Sequence, residues 1–353
     1  MGDPDGSVCD RESFAWSHES CWPWLLAALG LVGGLPAAAG QGSVPVATLA
    51  DGRVGQIHFE SRTPAGYFAL VRREATPGAV VVGTLRLPKD AAGRVPAMVI
   101  AHGSAGVDAR EAAWADRLGA LGLATFVVDS FTPRNIRETA TDQGRLPTAA
   151  NVADALAALR LLATHPRIDP DRIGVIRFSK GGQVALYTAL EPFRRGVLDD
   201  DRRFAAHVAL YPYCSDWYTA ARVTGAPLLL LLGGRDDYTP ADACRGYAEW
   251  FKGAGTETTV VTYPNAYHDF DSERWPRFER GLVTGRGCDM AVDLDHFTVA
   301  RRGTGEDITA IAGRYGRDCL ARGATIGGDA EARRRAPEDV AAFLRRVLKP
   351  ETR

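Results

Sequence analysis

The sequence predicts an α/β fold, a mostly parallel sheet with helices on both faces and an antiparallel meander in front of it. Three observations lead there. Beyond Ala97, short continuous apolar runs alternate with longer stretches of helical period. Such runs suit strands buried on both faces, and their alternation with helices implies right-handed βαβ units. Ahead of them lie three segments of β composition separated by Thr-Pro and Pro-Gly turn signals. Hydrophobic residues make up 46% of 353, enough for a sizeable core under that sheet.

Taken in order, Gly55–Arg62, Tyr67–Arg73 and Val80–Leu87 read as the extended segments of the meander. Ala97–His102 is the first buried strand, followed by a helix near Arg110–Leu121 and a strand at Leu123–Asp129. Thr148–Thr164 is a helix, with Val152, Leu156, Leu159 and Leu162 on its apolar face. Arg172–Phe178 is a strand and Gly182–Leu190 a helix. Ala205–Tyr211 and Pro227–Leu232 are strands, Asp242–Phe251 a helix, and Thr258–Tyr263 the last clear strand. Pro337–Leu348 closes the chain as an amphipathic helix, with Val340, Phe343, Leu344 and Val347 on one side. Residues 274–331 break the alternation; rich in Gly and charge, they read as an insertion or cap within a single domain spanning 41–353.

The N-terminal forty residues differ in kind. A short apolar block from Trp22 to Leu35 precedes Pro36-Ala37-Ala38-Ala39-Gly40, a small-residue cleavage site, so residues 1–40 read as a secretory signal with an extended, acidic lead. The block is too short and too rich in Gly to span a bilayer, and the mature chain is expected to be periplasmic or secreted, without stable membrane insertion. Beyond the signal remain Cys214, Cys244, Cys288 and Cys319, an even count that suits two disulfides in an exported chain. Pairing of sequence neighbours is preferred over four buried thiols. No CxxC or clustered His spacing points to a metal. With 42 basic and 43 acidic residues, the charge balance gives no reason to expect nucleic acid as a partner. A small molecule is the expected partner.

The chemistry gathers at three places. Ile173-Gly174-Val175-Ile176-Arg177-Phe178 runs into Ser179, and Lys180-Gly181-Gly182 follows at the start of a helix. This strand–turn–helix context lifts a serine hydroxyl above the sheet edge and frees the Lys180 backbone N–H for an oxyanion. Asp236 stands just past the strand ending at Leu232, in Gly233-Gly234-Arg235-Asp236-Asp237-Tyr238-Thr239-Pro240. His268 stands just past the last strand. Strand ends share one edge of a parallel sheet, so nucleophile, acid and base in that order predict a Ser179–His268–Asp236 triad. Asp237 is the alternative acid and Asp269 reads as a cap or a solvated side chain. His207 reads as a core residue; His58, His165 and His296 have no partner visible in sequence. The loop His102-Gly103-Ser104-Ala105-Gly106 offers the Ser104 N–H as second oxyanion donor.

From about Val80 to Phe270 the chain resembles the dienelactone hydrolase family of α/β-hydrolases. The residues that carry the resemblance are His102–Gly106, Val127-Val128-Asp129-Ser130-Phe131, Arg177–Gly182, Gly233–Pro240 and Tyr267-His268-Asp269-Phe270. The resemblance implies an α/β-hydrolase fold and hydrolysis of an ester or lactone through an acyl-enzyme, with no metal or cofactor. Three departures bear on substrate. Dienelactone hydrolases proper use a Cys nucleophile where this chain has Ser179. They carry an acidic residue where it has Gly103. They bind a substrate carboxylate with arginines, for which Arg134 is the counterpart here. A fourth departure bears on rate: the position two before the nucleophile is normally small, and Arg177 occupies it. That crowding predicts a faster enzyme on Arg177→Gly. The alternatives are a non-catalytic binding protein whose elbow Arg177 disables, and a small serine peptidase of the same fold.

Overall fold

The computed structural model describes residues 44–89 and 93–350, all within one compact unit; the expected signal at 1–40 lies outside the described residues. The chain opens with β1 (Gly55–Arg62), a short helix α1 (Tyr67–Val71) and β2 (Gly78–Arg86). Then β3 (Val95–Ala101), α2 (Ala109–Ala120), β4 (Ala124–Asp129), α3 (Thr148–Leu162), β5 (Ile168–Phe178) and α4 (Lys180–Tyr187) alternate. After α5 (Glu191–Val197) come β6 (Ala206–Leu210), β7 (Trp217–Thr219), β8 (Leu228–Gly233), α6 (Ala241–Gly253) and β9 (Thr258–Tyr263). Eight strands form the main sheet in the order β1-β2-β4-β3-β5-β6-β8-β9. From β4 to β9 every pairing is parallel, while β1–β2 and β2–β4 are antiparallel. This is the α/β-hydrolase fold.

Burial explains the composition of the strands. Every residue of β3, β6 and β8 is buried, since helices cover both faces of the sheet. One apolar cluster packs α3, α4 and α6 on one face; a second packs Trp114, Ala115 and Leu118 of α2 with Val340, Phe343 and Leu344 on the other. Those last three belong to α8 (Ala330–Leu348), which begins a full two turns before the sequence places it. Asp329 caps its start by accepting from the Ala332 N–H, and Pro337 is carried inside the helix. In α2, Asp108 and Glu111 form a reciprocal capping box.

The segment Tyr67–Arg73 is a correction: it is helical where β composition predicts a strand. As α1 it buries Ala69 and Leu70 and brings the Tyr67 ring against Tyr187, Phe193 and Tyr218, at 5.4, 5.4 and 4.2 Å between centroids. Packing on an aromatic cluster assembled by distant elements outweighs a weak local preference.

The insertion has structure of its own. It holds β10 (Arg277–Thr284), β11 (Met290–Asp293), β12 (Thr298–Arg301), α7 (Ala312–Asp318) and β13 (Ala321–Ile326). β10 pairs with β13, and β12-β11-β7 form a third sheet, so the insertion is hydrogen-bonded to the core through β7. Cys214 bonds Cys244 and Cys288 bonds Cys319, the sequence-neighbour pairing. Among the described residues no helix is long and apolar enough to cross a membrane.

Candidate active site

Ser179 stands between β5 and α4 with φ 54° and ψ −123°, a left-handed turn that an L-residue adopts only under constraint. Close backbone approach around it requires glycines. A Cβ on Gly181 would stand 2.6 Å from the His102 carbonyl oxygen, and one on Gly182 2.7 Å from Pro212 Cβ. A Cβ on Gly103 would press on the Phe178 carbonyl at 3.2 Å. The Ser179 N–H donates to the Leu210 carbonyl at 3.0 Å, which fixes the turn to the end of β6.

The three residues singled out by order and spacing meet at the sheet edge. Ser179 Oγ lies 2.8 Å from His268 Nε2, and His268 Nδ1 lies 2.8 Å from Asp236 Oδ2. Facing a carboxylate, Nδ1 carries the proton and Nε2 is left to accept from the serine hydroxyl. Asp236 is held in turn: its Oδ1 accepts from the Tyr238 and Thr239 N–H groups at 2.9 and 2.8 Å. Thr239 Oγ1 lies 2.9 Å from Oδ2, a contact that the Thr-Pro spacing foreshadowed without revealing. The rings of Tyr211 and Tyr238 meet the imidazole edge-on, each at 4.7 Å. His268 and Asp236 are both buried.

The neighbouring acids have other tasks. Asp237 accepts from the Thr325 N–H at 2.7 Å and its hydroxyl at 3.1 Å, joining the acid loop to β13. Asp269 is paired with Arg110 and is not solvated. Asp271 accepts from the Tyr211 hydroxyl at 2.7 Å and the Trp114 indole N–H at 2.8 Å. The loop that carries His268 is thus tied to α2 on one side. On the other, the Gly327 N–H donates to the His268 carbonyl at 2.8 Å. His207 is a core residue, with Nδ1 3.3 Å from Thr188 Oγ1. His102 is buried too, and burial pushes its pKa down to about 4. Its Nε2 accepts from the Ser130 N–H at 3.1 Å, so the neutral ring braces the loop before Ser104.

A cavity of about 170 Å³ opens at Ser179, lined among others by Ser104, Lys180, Gln143 and Tyr238. Lys180 stands at the first position of α4, directly after Ser179, and Ser104, on the loop after β3, lines the same cavity. The Lys180 ammonium donates to the carbonyls of Gln143 and Leu146 at 3.1 and 2.9 Å. Burial pushes its pKa down to about 8. Val283, Thr284, Gly285 and Leu320 of the insertion also line the cavity, which composition had no means of revealing.

Two expectations are corrected. Arg134 does not line the cavity. Its guanidinium is bidentate to the buried Asp154, at 2.8 and 2.9 Å, and donates to the Ser130 carbonyl at 2.8 Å. A guanidinium so occupied has little left for a substrate carboxylate. Arg177 does not crowd the nucleophile either. On β5 it alternates to the face covered by α3, where Nη2 reaches the Asn151 carbonyl at 3.4 Å. Its neighbours in register are Ala101 on β3 and Ala209 on β6, and these two small residues leave room for it.

The dienelactone hydrolase family profile matches residues 81–284, over half of the chain. Among curated proteins, the chain is 29% identical over 153 residues to the "Putative carboxymethylenebutenolidase" of Methylorubrum extorquens, covering 42% of this chain and 52% of that one. It is 30% identical over 190 residues to an uncharacterized protein of Mycobacterium tuberculosis, covering 50% of this chain and 64% of that one. The matches therefore span between half and two thirds of those relatives' own length. Among solved structures, a thermophilic esterase of Thermogutta terrifontis superposes with a TM-score of 0.45 at 19% identity, covering 54% of this chain and 80% of that one.

Proposed function

The chain belongs to the dienelactone hydrolase family, and from that premise we propose that it is an exported serine hydrolase cleaving small carboxylic esters or lactones through an acyl-enzyme. One observation carries this reading: the relay of 2.8 Å hydrogen bonds from Asp236 through His268 to a Ser179 that faces a cavity. In the proposed reaction Ser179 Oγ attacks the substrate carbonyl while His268 Nε2 takes its proton, and Asp236 keeps Nδ1 protonated and steadies the imidazolium. The tetrahedral oxyanion is received by the Lys180 and Ser104 backbone N–H groups. His268 then hands its proton to the leaving alkoxide, and the same residue activates the water that cleaves the acyl-enzyme. A cavity of about 170 Å³ suits a small ester or lactone. Two disulfides are compatible with an oxidising compartment, which accords with a signal at 1–40 and a mature domain at 41–353.

The test is hydrolysis of a short-chain p-nitrophenyl ester by the mature chain beside its Ser179→Ala variant, together with labelling by a fluorophosphonate. Native turnover and labelling, with loss of both in a folded variant, are expected; a drop on the order of a thousandfold or more is usual for removal of a nucleophile. Equal turnover by the two proteins would assign the chemistry to another group. A folded native chain that neither turns over nor labels would favour a non-catalytic ligand-binding protein.

A further inference from the structure

The cavity wall holds an acid that the proposed acylation does not use. Asp216 lies just before β7 and lines the cavity together with Ser179. Its Oδ2 accepts from the Tyr213 hydroxyl at 2.8 Å and its Oδ1 from the Met290 N–H at 3.2 Å. An ionised carboxylate has about four acceptor positions, so two donors leave it with capacity to spare. Burial raises its pKa to about 6; Asp289 pushes the same way, while the two hydrogen bonds and Arg302 pull against it. Above that pH it is an anion in a low-dielectric wall.

Among the described residues, the one cation in that wall is already committed. Lys180 spends its ammonium on the Gln143 and Leu146 carbonyls, with Thr139 Oγ1 at 3.5 Å. The other polar side chains there, among them Gln143, Gln183, Thr148 and Tyr238, are neutral. Arg134, the counterpart of a carboxylate-binding arginine, faces Asp154 outside the cavity. Spare charge in the wall is therefore negative.

We propose that Asp216 selects substrates by charge, favouring esters whose alcohol portion carries an ammonium group and rejecting those that carry a carboxylate there. This rests on the hydrolase reading above. A substrate cation supplies a counter-charge from inside the cavity, where Arg302 acts only from outside the lining, whereas a second anion in the same cavity is repelled at short range.

The test compares kcat/KM for three acetyl thioesters of similar size, followed by release of thiol. They are acetylthiocholine, its uncharged 3,3-dimethylbutyl isostere, and the acetyl thioester of 3-mercaptopropionate. At pH 8 the native chain is expected to prefer the cation over the anion by about tenfold or more, an effect of the size that charge complementarity gives. Asp216→Asn keeps the shape and an acceptor for the Met290 N–H. Its amide can face the Tyr213 oxygen while that hydroxyl donates to the Gly285 carbonyl, 3.2 Å away. The variant should bring the cation-to-anion ratio close to one, and Asp216→Glu should retain a preference for the cation. A native ratio of one or below, or a ratio that Asp216→Asn leaves unmoved, overturns the proposal while the hydrolase reading stands. If the native chain cleaves none of the three thioesters nor the p-nitrophenyl ester, the hydrolase reading itself falls and takes the proposal with it.

Discussion

At the scale of single residues, Arg177 shows how far orientation governs consequence. Read in sequence, a long cation two positions before the nucleophile predicts obstruction. In the fold its side chain leaves by the opposite face of the sheet, and burial pulls its pKa down to about 9. Two of its guanidinium nitrogens, Nε and Nη1, have no partner in a site without solvent access. Asp154, the acid nearest in charge, is already satisfied by Arg134. Arg177 is thus a costly filler of space. Arg177→Gly is expected to leave a cavity and lower stability by about 2–5 kcal/mol, the range for large-to-small core changes. Arg177→Met fills most of the volume without a charge and should be neutral or stabilising. Ester hydrolysis per folded molecule should change little in either, and urea denaturation beside the p-nitrophenyl assay measures both quantities. A marked gain in rate for Arg177→Gly would restore the obstruction argument.

At the scale of elements, the insertion is the part that sequence described least. Its strands are largely exposed or half-buried, and β11 and β12 are only four residues long, so no apolar run announces them. The pairing of β11 with β7 joins residues more than seventy apart, which local pattern does not encode. The Cys288–Cys319 disulfide spans 31 positions and ties the turn after β10 to the end of α7, next to Leu320 of the cavity wall. Replacing both cysteines by serine releases that loop in the unfolded chain and is expected to cost up to about 3–4 kcal/mol on chain-entropy grounds. The double variant should melt lower and be cut earlier by protease within 285–320. An unchanged melting temperature would mean that the β10–β13 and β11–β7 pairings suffice.

At the scale of the whole molecule, buried ionisable groups set the response to pH. Burial pushes the pKa of His207 down to about 4 from 6.5, as it does for His102. Between those values the unfolded chain takes up protons that the native state refuses, so stability falls as pH drops from about 6.5 to 4. Glu111 acts in the opposite sense. Burial raises its pKa to about 8 from 4.5, so its contribution improves as pH falls through that window. The native melting temperature therefore reports a sum, and a variant is needed to separate the parts. His207→Asn retains a group able to meet Thr188 and lacks the titration; it should flatten the acid limb of the curve. A slope equal to that of the native chain would remove His207 from the account.

The main-sheet strands from Ala97 to Tyr263 were legible because a parallel sheet covered on both faces demands unbroken apolar strands, and their alternation with helices leaves few topologies; the short α5 and β7 were not. Ser179, Asp236 and His268 were legible for a related reason. Ser179 follows β5 directly and Asp236 and His268 stand in the loops that leave β8 and β9, and strand ends gather at one edge of a parallel sheet. Direction and partnership were not legible. That α1 is a helix, that Arg134 turns to Asp154, that Arg177 points toward α3, and that Asp216 shares a cavity with Ser179 all depend on groups far apart in the chain. Local pattern records which residues are buried and where strands end. Only the folded packing decides what each side chain meets, because electrostatic and steric partners are set by distance in space.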